Sequence, residues 1–144
     1  MSRFLLLITL TACLVATGQV RAETDAQVTA RSDVIDLAGA FQNDGFKIRD
    51  GNFLGQISKE HSQILAVNLY SGNAYWFTAS TGQKLDKLKV SLFDDSGKPV
   101  SYMPYQSGPR AAAGFSPDAS GLYYVKVALE EGQPATFCLI YSYK

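Results

Sequence analysis

From Phe46 to Lys144 apolar and polar residues alternate with a period of two, in short runs broken by polar turns. "SQILAVNLY" sets Leu65, Val67 and Leu69 on one side. "NAYWFTAS" opposes Tyr75, Phe77 and Ala79 to Trp76 and Thr78. "KLKVSLF" opposes Leu88, Val90 and Leu92 to Lys87, Lys89 and Ser91. "GLYYVKVAL" puts Tyr123, Val125, Val127 and Leu129 on one face, with Tyr124 and Lys126 opposite. "ATFCLIYSY" alternates Phe137, Leu139 and Tyr141 with Cys138 and Ile140. "FKI" and "NFLGQIS" read as brief edge strands, and "AAAGFS" as a short strand ending near Phe115. Successive side chains of a strand point to opposite faces, so this period predicts antiparallel sheets packed on one side. "YSGN", "DDSGKP", "SPDASG" and "EEGQP" supply the glycine, proline and aspartate that tight corners need. Many short strands between such turns predict an all-β fold, an antiparallel β-sandwich or jelly roll.

The period changes before Phe46. In "ETDAQVTARSDVIDLAGAFQNDG", Val28, Val34, Leu37, Ala38 and Phe41 recur at helical spacing. Ser32 is the expected cap of a short helix starting at Asp33, with Asp33 and Asp36 in the first turn and Gly45 as the stop. Such a helix needs a surface to pack on.

Further upstream the chain reads as a targeting segment. One arginine, Arg3, precedes the uncharged run "FLLLITLTACLVATG" from Phe4 to Gly18. That run is shorter than the roughly 20 apolar residues a membrane-spanning helix needs. Val20 and Ala22 then stand at −3 and −1 of a cleavage point, so residues 1–22 read as a secretory signal. "LTAC" ending at Cys13 resembles a lipoprotein acylation motif, but the residues after Cys13 stay apolar, and the expected product is unlipidated. The expected organisation is a signal peptide over 1–22, a helical segment over 23–45 and a sandwich over 46–144. The expected location is the periplasm or the exterior. Removing the signal removes Arg3 and Arg21 and leaves a mildly acidic chain with a single cysteine, Cys138. No intramolecular disulfide is then possible, so the fold must rest on packing. No clustered lysines and arginines suggest nucleic-acid binding.

The segments "YWFTA", "LDKLKVSLFDDSGKPV", "AGFSPDASGLYYVKVAL" and "TFCLIY" follow one another as in the bacterial pre-peptidase C-terminal domain family. The chain resembles that family from about Ser62 to Lys144, through its "D-x-x-G" turn at Asp94–Gly97 and its "G-x-Y-x-V-x-V" strand at Gly121–Val127. The resemblance implies a non-catalytic β-sandwich of a kind often attached to secreted enzymes, some members of which bind matrix polymers or calcium. Relatives with a "C-D-x-D-C" segment differ here, because this chain has "STGQKLD" at that place. On this reading Gly121 frees a turn and Tyr123 is a buried anchor.

The candidate chemistry is sparse. The sole histidine, His61 in "SKEHS", reads as a solvated turn residue, and Cys138 lies in an apolar strand. One histidine and one cysteine do not make a zinc site. Asp94, Asp95 and Ser96, with Asp86, offer oxygens to calcium, but a turn in which aspartate caps its own backbone is the simpler reading. Glu130 and Glu131 read as a hairpin tip. No catalytic residue, metal site or cofactor is expected. Aromatic side chains are the better candidates. Trp76, Tyr102, Tyr105 and Tyr124, together with Arg110, are the predicted contact residues for a protein or polysaccharide partner. "SYMPYQSGPRAAAG" is the longest stretch without a pattern, and it reads as a loop holding Tyr102, Met103, Tyr105 and Arg110 without structural demand. The expected function is an exported, non-enzymatic binding or envelope-accessory module. The alternative is a carbohydrate-binding module built on exposed aromatics.

Overall fold

A computed structural model describes residues 22–144. The proposed signal segment and Cys13 lie outside the described residues, apart from Ala22. The described residues form one helix, α1 (Asp25–Gln42), and nine strands: β1 (Lys47–Ile48), β2 (Phe53–Ile57), β3 (Gln63–Leu69), β4 (Tyr75–Ser80), β5 (Lys87–Phe93), β6 (Met103–Ser107), β7 (Arg110–Phe115), β8 (Gly121–Glu131) and β9 (Ala135–Tyr143). All recorded strand pairings are antiparallel. Six strands form one sheet in the order β1-β9-β4-β7-β6, with β2 pairing β9 beside β1. The other three form a sheet in the order β3-β8-β5. The molecule is an all-β sandwich with an N-terminal helix, as the alternation predicts.

The core lies between the sheets. Phe77, Phe137, Leu88, Leu92 and Val125 are among its fully buried side chains. The expected inward sets of β3, β4, β5 and β8 face this core. Tyr123 differs, since it is half-buried rather than enclosed. Its ring packs edge-on to Phe115 at 5.3 Å and its hydroxyl donates to the Ala119 carbonyl at 2.8 Å. A tyrosine near a strand end keeps its polar tip where a partner exists.

α1 starts about two turns before the expected Ser32 cap. Thr24 and Gln27 form a reciprocal capping box, in which Thr24 Oγ1 accepts from the Gln27 amide and Gln27 Oε1 accepts from the Thr24 amide. Two amide groups are satisfied there, and Ser32 is left as an exposed mid-helix residue. The buried stripe is Ala30, Val34, Leu37 and Ala38, whereas Val28 is 46% exposed. This stripe covers Cys138 and Ile140 on the outer face of the six-stranded sheet, with Leu54 and Ile48 packed beside them. That sheet is therefore buried on both faces along β4 and β9.

The stretch read as a loop, Ser101–Gly114, is mostly the β6–β7 hairpin. Gly108 turns it at φ +58°, and Tyr105 pairs Ala112 across it. All five β6 residues are exposed, so no apolar alternation marks the strand in the sequence.

Candidate functional site

The five predicted contact residues fall on three different surfaces. The pairing of Trp76 with Gly114, of Gly114 with Met103 and of Ala112 with Tyr105 puts Trp76, Tyr105 and Arg110 on the helix-bearing face of the six-stranded sheet. Tyr102 turns inward, packs on the core and lies 3.3 Å from Ser91 Oγ through its hydroxyl. Tyr124 stands on the outer face of the three-stranded sheet, between Ala66 and Phe93.

Trp76 is occupied by packing. Phe41 at the end of α1 stacks on its ring at 4.3 Å and 10°, and Gly114 leaves room for the indole, since a Cβ there would meet it at 2.9 Å. Arg110 is occupied by a partner. Its Nε lies 3.0 Å from both carboxylate oxygens of Asp33 on α1, and Ser80 Oγ also bonds that carboxylate. The Arg110 hydrogen bond holds the Asp33 carboxyl below its usual value of 3.8, against the opposing effect of burial. Arg110 thus ties β7 to the helix, which corrects the expectation of a side chain without structural demand. Tyr102 and Tyr105 both line a gap of about 230 Å³ beside β5 and β6.

The polar candidates resolve into turns. Asp94 Oδ1 accepts from the Ser96 amide at 3.0 Å, the Ser96 hydroxyl at 2.7 Å and the Lys98 amide at 2.9 Å. Ser58 Oγ lies 3.4 Å from His61 Nδ1 but donates to Glu60 Oε2 at 3.0 Å, inside an exposed turn. Glu60 bonds the serine and not the imidazole, so the ring is not oriented as a general base requires. Glu130 and Glu131 flank Lys87 at 3.8 and 3.5 Å. Among the described residues no group of three or more histidine, cysteine or acidic side chains is placed to hold a metal ion. Burial pushes the Cys138 thiol up to about 11, away from nucleophilic use.

The outer face of the three-stranded sheet is different in kind. No element among the described residues covers it. Its outward positions include Ile64, Leu122, Tyr124, Phe93, Lys89 and Lys126, and none from Lys89 to Phe93, Ile64 to Asn68 or Leu122 to Ala128 is acidic. Ile64 is 61% exposed and Leu122 also reaches solvent. Of the predicted contact residues only Tyr124 stands on this face. The signal for the rest was available: Ile64 and Phe93 are large apolar residues on the polar phase of their strands.

No protein-family model matches the chain, and no curated protein gives a significant match.

Proposed function

We propose that the protein is an exported, non-catalytic β-sandwich that binds a protein partner through the outer face of its three-stranded sheet. The observation that carries this reading is the contrast between two sheet faces. One outer face is buried by α1, while the other presents apolar side chains with Lys89 and Lys126 to solvent, and the acidic residues of its strands, Glu130 and Glu131, lie at one end, where Lys87 flanks them. Contiguous exposed apolar area rimmed by polar groups marks interaction surfaces. The lysines favour a partner whose contacting patch is acidic, and charge complementarity of this kind sets specificity. Export is supported by the basic start, apolar run and small residues before Glu23, and by a helix cap that begins at Thr24. The family resemblance agrees with a module that binds rather than catalyses. The carbohydrate reading through exposed aromatics is the weaker one, because the indole of Trp76 is stacked under Phe41.

A photoreactive amino acid at position 124 tests the reading in cells. A discrete protein adduct is expected from 124, weakened by salt and lost in an Ile64→Glu, Lys126→Glu double variant of unchanged melting temperature. The same probe at Ile35, on the exposed side of α1, serves as the control. Equal adducts from both positions, or none from 124, refute the sheet-face reading.

A further inference from the structure

A second feature lies at one end of the sandwich, apart from the sheet face. A cleft of about 1010 Å³ opens between the first turns of α1, the β4–β5 connection, the β8–β9 turn and the end of β2. Asp86 lines it. This aspartate is only 6% exposed, and its Oδ2 is buried without a hydrogen-bond partner. Its other oxygen lies so close to Gly132 that a Cβ there would stand 2.1 Å away, and Gly132 adopts φ +125°. The turn is thus built around the carboxylate without donating to Oδ2. A buried polar group left unpaired costs about 1–3 kcal/mol, more when charged, and such a group in a native fold calls for an explanation. A purely structural aspartate in a turn accepts backbone amides, as Asp94 does. Asp86 forms no ion pair among the described residues, although Lys59 and Lys84 stand on the same cleft.

We infer that this cleft is a saccharide-binding site, with Asp86 as the acceptor for sugar hydroxyls and Lys59 and Lys84 facing an acidic substituent. The lining supports that chemistry. Gln56, Gln83 and Gln133 offer amides that both donate and accept, which suits vicinal hydroxyls. Leu85, 91% exposed on the rim, and Pro134 give an apolar surface for a ring face. An amine would also satisfy the carboxylate, but two lysines on the cleft oppose a cationic ligand.

Calorimetry on the full exported protein with three probes tests the inference: an oligogalacturonate, a neutral maltooligosaccharide of the same length, and spermidine. The oligogalacturonate is expected to bind, and the neutral sugar about tenfold or more weakly. Lys59→Gln with Lys84→Gln is expected to remove that difference without unfolding the protein, since both lysines are exposed. Asp86→Asn is expected to weaken both sugars about tenfold while holding or raising the melting temperature, because a buried charge is removed. The Ile64→Glu, Lys126→Glu variant should bind sugar normally, which separates this site from the sheet face. Binding of spermidine instead, no heat with oligogalacturonate at millimolar concentration, or lysine variants with unaltered preference overturns the inference. If Asp86→Asn does not fold, the lysine pair alone decides.

Discussion

Arg110 and Asp33 lie 77 residues apart in sequence and hold helix to sheet. The pair is bidentate and partly enclosed, so it exceeds an ordinary surface ion pair. Arg110→Ala should cost about 1–2 kcal/mol by urea denaturation. The pH dependence follows from the lowered Asp33 value. Its contribution is fully present above the unfolded value of 3.8 and is lost as pH falls through the lower folded value. The stability gap between wild type and Asp33→Asn should therefore be constant near neutrality and close in acid. An unchanged gap at the lowest pH would mean that the hydrogen bond does not favour the charged carboxylate. Two aromatic truncations bracket the core. Phe77, fully buried, should lose about 3–5 kcal/mol as alanine, whereas the half-buried Tyr123 should lose less, at about 2–3 kcal/mol. The reverse order would indicate that β4 or β8 faces the other way.

At the scale of elements, α1 acts as a cover. Val34 is fully buried over Cys138 and Ile140, so Val34→Asp should release the helix while the sandwich core persists. Cys138, fully buried, should resist a disulfide-exchange reagent in the native protein and react at least tenfold faster in Val34→Asp. Equal rates would show that the helix does not shield the sheet. The elements also show what the sequence discloses. β3, β5 and β8 are legible because one face of each is buried and the alternation is clean, whereas β4, buried on both faces, shows as a short aromatic and apolar run between turns. β6 is not, because an exposed edge strand with Pro104 carries no burial pattern, although the short strand expected at its partner β7 is present. The helix start was misplaced because Ser32 and Thr24 offer the same capping chemistry, and only Thr24 has Gln27 three residues on. Of the candidate site, Tyr124 was legible as an outward aromatic. The cleft around Asp86 was not, since four separated segments build it.

For the whole molecule, stability rests on packing between two sheets and a helix, with one cysteine among the described residues. The melting temperature of the protein should be the same with and without reductant. A drop on reduction would reveal an intermolecular disulfide through Cys138. Processing has its own check: intact mass should correspond to a chain beginning at Glu23, and a lipidated Cys13 would place the protein on a membrane instead.

The position of β9 has a consequence in time. β9 pairs with β1, β2 and β4 and lies beneath α1, so the middle of the larger sheet is made after every strand it joins. A chain emerging from its first residue onward holds the parts of that sheet but not the strand that joins them. Until those nine residues arrive, the helix has its contacts with β4 and β7, through Phe41 on Trp76 and Asp33 on Arg110, but lacks Cys138 and Ile140 beneath its buried stripe. Such long-range closure is slow compared with local pairing. A protein wired this way can complete its larger sheet only once β9 is free to enter it.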